Sequence, residues 1–238
     1  SLFGNTIRAI YVLGSLAYGD YREGKSDIDV DVVIKDGADG RDVWKSIKRL
    51  KHRINSDSPV DVCLRGYTIP FLLSDEFPLK GRKHIRRIML KSSAKLIWGE
   101  EVASAIAFPT HNEILAEARS TILRLSDSLK GGIMGCSVAA ELDASCLAAR
   151  CLNTGYTRQV NSKLHCLAWA VDTFGDELTP GDVSHLGRCQ GILSQRTVQE
   201  EVPSTIVEQE ACCNWVLRSL ALLAQIFPVP IASEPSPQ

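Results

Sequence analysis

Residues 27–34, DIDVDVVI, alternate aspartate with aliphatic residues. This period of two predicts a β-strand with two different faces. Asp27, Asp29 and Asp31 would share one face, and the aliphatic side chains on the other face could pack on helices. Adjacent carboxylates repel one another, which raises their pKa values unless a cation neutralises them. The pattern therefore predicts either the solvated face of an edge strand or a site for a divalent cation.

The flanking segments favour the cation site. Gly14 and Ser15 end an apolar, strand-like run, and the chain then enters a turn or helix start, where backbone N–H groups can bind a phosphate. Asp61 lies in the next strand-like run, VDVCL at 60–64, and could face the same cleft. Hard cations such as Mg²⁺ prefer carboxylate oxygens and bring waters or phosphates as further ligands. Metal-assisted phosphoryl or nucleotidyl transfer needs such an arrangement.

The chain has 238 residues, enough for one large domain or two small ones. The first third predicts strand, turn, strand, helix and strand, with the helix at 41–54, which is a small α/β unit. Residues 81–98 are basic and are predicted to be helical. We expect a catalytic domain over 1–108, a helical domain over 109–230 and a disordered tail over 231–238. Helices of the second domain are predicted at 112–130, 137–153, 162–174 and 203–227.

Charge and hydropathy exclude several classes of protein. With 27 basic and 28 acidic residues the net charge is -1, so no strong overall field favours nucleic acid or an acidic membrane. The basic stretch at 80–91 is the local exception, either a solvated helix face or a surface that attracts a polyanion. The most apolar late segment, 215–230, carries Arg218 and is cut by Pro228, so it is too short to span a bilayer. A nucleic-acid polymerase is disfavoured, because no basic run has interleaved aromatic residues.

Eight cysteines are present, and none of them shows the C-x-x-C spacing of a zinc knuckle. In a charge-rich helical context they are expected to be reduced and mostly buried thiols, which predicts a cytoplasmic protein. No signal peptide is expected from the first residues.

The motif order resembles a known superfamily. The chain is similar to the DNA polymerase β-like nucleotidyltransferases in one signature. It has Gly14-Ser15, then eleven residues, then the DID that contains Asp27 and Asp29, and later the acid Asp61. The resemblance implies that the first two aspartates bind Mg²⁺, in a pair of ions that also hold a nucleoside triphosphate. It implies that Gly14 and Ser15 contact the terminal phosphates. Asp61 would be the third metal ligand, the base that takes a proton from an acceptor hydroxyl, or both.

A second segment narrows the resemblance. Residues 149–171 resemble the helical domain of the aminoglycoside 3''-adenylyltransferases in an Arg, a Gly-containing turn, a Lys and then Ala168, Trp169 and Ala170. This implies that Arg150 and Lys163 contact ATP; the alternative is that they are ordinary surface cations. Lys163 is also predicted at a helix start, where the helix dipole would reinforce phosphate binding. Trp169 is expected in the core. Asp31 does not match the superfamily motif and is expected to be structural.

The sequence therefore predicts an enzyme that uses Mg²⁺ and ATP to transfer AMP to a hydroxyl of a small, aminoglycoside-like acceptor and releases pyrophosphate. Such an activity would confer antibiotic resistance. The acidic residues that the family uses on the drug do not align, because Glu141 and Asp143 are out of step. Three alternatives stay open: a protein-adenylylating enzyme of antitoxin type, a HEPN-type ribonuclease using Arg158 and His165, and a non-catalytic nucleotide sensor.

Overall fold

The computed structural model describes residues 6–23, 26–37, 40–74, 82–130, 137–195 and 205–226. The chain divides into two compact units. The first comprises Ser1–Ile114 and Gln159–Ser162, and the second comprises Leu115–Arg158 and Lys163–Gln238. The tail predicted at 231–238 lies outside the described residues. The single domain boundary placed at residue 108 stays a prediction.

The first unit is built on a four-stranded mixed sheet in the order β3-β2-β1-β4. Strand β1 is antiparallel to both β2 and β4, while β2 and β3 are parallel. A parallel pair needs a crossover, which helix α2 supplies between β2 and β3. The small mixed sheet predicted from the sequence is confirmed. The elements are β1 (Ile7–Leu13), α1 (Gly14–Tyr18), β2 (Ile28–Ile34), α2 (Gly40–Asp57), β3 (Val62–Thr68), α3 (Ile69–Leu73), α4 (Lys83–Ser92) and β4 (Lys95–Gly99).

The alternation of β2 divides its side chains between a core and a polar face. Val32 and Ile34 pack with Val43 and Ile47 of α2 in one buried cluster. Helix α2 lies so close to the sheet that a Cβ on Gly66 of β3 would collide with the Ile47 side chain. The helix therefore holds β2 and β3 together and leaves the aspartates of β2 on the opposite face.

The helix predicted at 81–98 is wrong in its last part, because β4 begins at Lys95. Helix α4 ends where the N–H groups of Ser93 and Ala94 both donate to the carbonyl oxygen of Met89, at 3.0 and 2.8 Å. The next residues pair with β1, with Leu96 opposite Tyr11. All five residues of β4 are exposed, so their burial pattern carries no strand signal, and pairing with β1 decides their conformation.

The second unit is helical, as predicted. Its helices are α5 (His111–Lys130), whose first residues belong to the first unit, and α6 (Val138–Thr157), α7 (Lys163–Phe174), α8 (Pro180–Ser194) and α9 (Ile206–Ile226). Helix α6 packs against α7, α8 and α9. At Gly155 a Cβ would lie 2.9 Å from Leu223 Cδ1 and 3.3 Å from Leu115 Cδ2, so α6 approaches α9 and α5 closely there.

Helix α8 is absent from the predicted helices, since Pro180 and Gly181 indicated a break. Pro180 instead occupies the first turn, where its missing N–H costs nothing. The Thr179 hydroxyl accepts a hydrogen bond from the Asp182 N–H at 3.1 Å, and the Thr179 N–H donates to Asp182 Oδ2 at 3.0 Å. This reciprocal capping box marks a helix start that the sequence T-P-G-D could have indicated.

A polar cluster lies in the core of the second unit. Ser145 Oγ is 2.8 Å from His185 Nε2, and Trp215 Nε1 donates to the Ser145 carbonyl oxygen at 3.1 Å. Nearby, Arg188 bridges Glu141 at 3.0 Å and Glu208 at 2.7 Å. Burial, with a smaller contribution from Arg188, lowers the pKa of His185 from 6.5 to about 4. His185 is therefore neutral in the folded protein at pH 7.

The seven cysteines among the described residues are free thiols, of which five are buried and two half-buried. The sequence prediction of mostly buried thiols is confirmed for them. None of the helices within the described ranges combines the length and apolarity that crossing a membrane requires.

Candidate functional site

The polar face of β2 meets β3 in register and forms one cluster of possible metal ligands. Asp29 pairs with Cys63, and the Ile28 N–H donates to the Asp61 carbonyl oxygen at 2.9 Å. Side-chain ligand atoms of Asp27, Asp29 and Cys63 lie within 4.8 Å of one another. In the part of the chain that the structure describes, no other three His, Cys, Asp or Glu residues come together in this way. The two aspartates predicted to bind a metal therefore lie together.

Asp29 is held by a cation from the neighbouring strand. Arg65 Nη1 donates to Asp29 Oδ1 at 2.7 Å, and the two side chains are only 19% and 20% exposed. The same nitrogen is 3.9 Å from Asp31 Oδ1. Burial alone would lower the pKa of Arg65, but the charges of Asp31 and Asp29 together raise it above its usual value. Arg65 therefore stays charged and fixes the orientation of the Asp29 carboxylate.

Gly14 contacts the other side of Asp29. Its backbone is left-handed, with φ of 66°, and a Cβ there would collide with Asp29 Oδ2 and lie 3.3 Å from Asp29 Cγ. Helix α1 begins at this glycine, and Leu13 at its N-cap supplies no side-chain hydrogen bond to the first turn. Ser15, the second residue of the helix, is half-buried. Glycine is thus required at position 14 both by conformation and by the space that Asp29 occupies.

Asp31 is the third acid of the β2 face and is fully buried. The Tyr67 hydroxyl donates to Asp31 Oδ2, and Arg86 Nη1 lies 3.4 Å from Asp31 Oδ1. Burial, followed by the charge of Asp31, raises the pKa of Tyr67 well above its usual value, which keeps the hydroxyl protonated as a donor. These contacts agree with the structural role expected for Asp31.

Asp61 lies next to the cluster but outside it. The residue is exposed, and its Oδ1 accepts a hydrogen bond from Asn55 Nδ2, near the end of α2. Asn55 also receives the Val62 N–H on its side-chain oxygen at 3.0 Å, so its amide is fixed against the first residue of β3. The strand register places Asp61 beside Asp27. Its predicted role as metal ligand or base stays a prediction.

The two cations predicted to bind ATP belong to the second unit. Lys163 is the first residue of α7, as predicted, and its Nζ donates to Asp143 Oδ1 at 2.7 Å. Arg150 lies on α6, and its buried Nε has no hydrogen-bond partner among the described residues. Burial raises the pKa of the Cys146 thiol to about 12, although the positive charges of Lys163 and Arg150 act in the opposite direction. Their predicted contacts with ATP are not tested by this geometry.

Sequence reasoning missed two residues of the β3 face, Cys63 and Arg65. Both could have been found from the spacing, because they lie two and four residues after Asp61 and so share its face of the strand. Cys63 was treated only as one of the eight thiols. Trp169 is half-buried and packs against Tyr156 and Phe174, with ring centroids 5.6 and 5.5 Å away.

Comparison with known proteins found a matching family model and a similar solved structure. Residues 1–93 match the family model described as the nucleotidyltransferase domain. The chain also resembles the crystal structure of spectinomycin adenyltransferase AAD(9) from Enterococcus faecialis, which contains ATP and spectinomycin. That likeness has a TM-score of 0.67 at 12% sequence identity and covers 92% of this chain and 93% of that chain. No curated protein sequence matches the chain. The fold class predicted from the sequence is confirmed.

Proposed function

We propose that this chain, whose residues 1–93 are a nucleotidyltransferase domain, transfers AMP from ATP to a hydroxyl of a small molecule and releases pyrophosphate. The nucleotidyltransferase superfamily and the enzyme class predicted from the sequence are confirmed by that domain. The observation that carries the proposal is the approach of Asp27 and Asp29 to one another beside Gly14, at the start of α1. This combination sets anionic metal ligands next to backbone N–H groups that suit a phosphate.

The two aspartates of the cluster fit a hard divalent cation. Two carboxylates lie together within reach of one ion, and Arg65 donates to Asp29 at 2.7 Å. A pair of Mg²⁺ ions bound there would supply charge neutralisation for the triphosphate and the leaving pyrophosphate. Asp27 is exposed and Asp29 is half-buried and fixed by Arg65, so one ligand is open to an arriving cation and the other is oriented in advance.

The remaining catalytic roles follow from position. Gly14 and Ser15, at the uncapped start of α1, would bind the terminal phosphates of ATP through their N–H groups and the serine hydroxyl. Asp61 is exposed and held by Asn55, which leaves one carboxylate oxygen able to take the proton of an acceptor hydroxyl as general base or to join the metal site. In-line transfer depends mostly on such positioning and on charge.

Arg150 and Lys163 are the two further residues that we propose to contact ATP. The buried Nε of Arg150 supports this role, because it has no hydrogen-bond partner within the described ranges and a buried donor without a partner is costly unless a ligand satisfies it. Lys163 already pairs with a carboxylate, Asp143, with side-chain exposures of 46% and 68%. An exposed pair of this kind is weak and can yield to a triphosphate.

The acceptor that we propose is an aminoglycoside-like antibiotic, so the activity would confer resistance in the reducing cytoplasm that the free cysteines suit. The fold likeness to an adenyltransferase solved with spectinomycin supports the choice. A protein acceptor is the alternative. A HEPN-type ribonuclease would need Arg158 and His165, which are both exposed, and would be recognised by ribonuclease activity that survives loss of Asp27 and Asp29.

The test is to incubate the purified protein with Mg²⁺, labelled ATP and a panel of aminoglycosides and spectinomycin. Asp29→Asn should reduce transfer at least about a hundredfold, because the loss of one metal charge costs several kcal/mol in the transition state. Asp36→Asn, at an exposed aspartate just beyond β2, is the matched control and should leave transfer unchanged. Near-normal transfer by the Asp29 variant would overturn the metal assignment. Binding of ATP without a labelled drug would direct the search to protein acceptors.

A further inference from the structure

Cys63 introduces a sulfur atom into an otherwise hard, oxygen-lined site. It lies on β3 directly opposite Asp29, and its Sγ is within 4.8 Å of a carboxylate oxygen of both Asp27 and Asp29. The three side chains come from two adjacent parallel strands, whose register fixes their spacing. The thiol is half-buried rather than enclosed, so an ion that reaches the carboxylates also reaches the sulfur.

The chemistry of this donor set differs from that of an all-carboxylate site. Mg²⁺ takes oxygen ligands, whereas Zn²⁺ and Cd²⁺ bind thiolate sulfur in combination with carboxylate oxygen. Binding to the sulfur displaces the thiol proton to solvent, and a thiolate with two carboxylates carries three negative charges. The guanidinium of Arg65, bonded to Asp29, offsets one of them.

We propose that Cys63 makes the aspartate pair a binding site for thiophilic divalent cations, with Asp27, Asp29 and Cys63 as the protein ligands. Zn²⁺ or Cd²⁺ would bind there through two oxygens and one sulfur. Competition of these ions with Mg²⁺ rests on the proposed function, whereas their binding to the protein does not. Position 63 thus sets which divalent cation the site prefers.

The other described cysteines provide the control. Five of the seven described cysteines are buried, and the two half-buried ones are Cys63 and Cys213, which lies on α9. Cys213 does not belong to any group of three possible ligand residues within the described ranges. Cys63→Ser and Cys213→Ser therefore remove chemically equal and similarly exposed thiols, of which one belongs to the proposed site.

The test is a Cd²⁺ titration of the intact protein without nucleotide, followed by the ultraviolet charge-transfer band of the cadmium–thiolate bond and by calorimetry. The wild-type protein and Cys213→Ser should show the band with equal affinity. Cys63→Ser should lose the high-affinity part of the band and bind Cd²⁺ about tenfold or more weakly. An unchanged band and affinity in Cys63→Ser would overturn the proposal.

A second variant keeps the test decisive if Cys63→Ser folds poorly. Asp27→Asn keeps the thiol and changes an exposed side chain, so it should also weaken Cd²⁺ binding about tenfold, whereas unchanged binding would contradict a shared site.

The experiments distinguish failure of the metal site from failure of the proposed function. If the wild-type protein shows the Cys63-dependent band but no nucleotide transfer, the proposed function is rejected and the metal site is retained. If the protein transfers nucleotide with Mg²⁺ but its cadmium band does not depend on Cys63, the metal site is rejected and the function is retained.

Discussion

At the scale of single residues, Asp29 is fixed from two sides. Arg65 holds Oδ1 at 2.7 Å, and the Cα of Gly14 faces Oδ2 where any larger residue would carry a Cβ. Position 14 thereby controls the orientation of a proposed metal ligand that lies fifteen residues away in the sequence.

Gly14→Ala should therefore abolish transfer and weaken metal binding, because the new methyl group displaces the Asp29 carboxylate. Gly19→Ala is the matched control: Gly19 also has a positive φ, of 84°, but no atom of the described residues lies within 4 Å of the added Cβ. Both variants should lose about 1 kcal/mol of stability from the left-handed backbone. Thermal denaturation and transfer rate should separate the two effects. Equal activity of the two variants would contradict the role given to Gly14.

Lys163 and Asp143 offer a test of the helical unit. Lys163→Ala should raise the KM for ATP with little change in stability, because an exposed ion pair contributes less than about 1 kcal/mol. Asp143→Ala should lower the KM for ATP, because Lys163 no longer has a competing carboxylate. Both are measured by initial rates over a range of ATP concentrations. ATP affinity that is unchanged in Lys163→Ala would remove this residue from the site.

At the scale of elements, a helix or strand could be predicted where its own residues carry a recognisable pattern, such as alternating burial or a capping motif. The alternation of β2 predicted both its faces, because one face is buried against α2 and the other is acidic. Strand β4 has no buried face, and only pairing with β1 makes it a strand. Helix α8 did carry a signal, the capping box of Thr179 and Asp182, which the adjoining Pro and Gly obscured.

Packing of α8 against α6 should make stability depend on pH through His185. Its pKa is about 4 in the folded protein and near 6.5 when unfolded, so the unfolded chain binds more protons between these values. Its contribution is present above pH 6.5 and is lost progressively as the pH falls towards 4. The loss amounts to up to about 3 kcal/mol.

Denaturant unfolding at pH 7.5 and pH 5 measures this dependence. His185→Gln should show a smaller loss of stability at the lower pH than the wild-type protein, since its side chain does not titrate. His165→Gln, at an exposed histidine on α7, should keep the wild-type dependence. If His185→Gln and the wild-type protein lose equal stability, the buried histidine is not the cause.

At the scale of the whole molecule, the two compact units are not separated at one position. Residues 159–162 return to the first unit after α6, which a pattern of local signals along the sequence cannot indicate. The same limit applies to the site. The spacing of Gly14, Asp27 and Asp29 predicted that the two aspartates share a site, and their ligand atoms do lie together. The partners Arg65 and Asn55 depend on strand register and helix packing, which only the folded chain defines.

Binding of Mg²⁺ and ATP should stabilise the intact protein against heat. A ligand present at a hundred times its Kd adds about 2.7 kcal/mol to the free energy of unfolding. A non-hydrolysable ATP analogue with Mg²⁺ should therefore raise the Tm of the wild-type protein, and Asp29→Asn should lose most of this rise. Calorimetry with and without the analogue checks it. An equal rise in both proteins would mean that the nucleotide binds without the acidic pair.

The collision between a side chain at position 14 and the carboxylate at position 29 also has a consequence for the protein's descent. While a lineage needs Asp29, selection removes every mutation of Gly14. Once a lineage abandons the chemistry and Asp29 drifts to a smaller residue, the steric reason for Gly14 disappears with it. Descendants that have become inactive should therefore lose the glycine after the aspartate and rarely before it, so their sequences should show the two substitutions in that order.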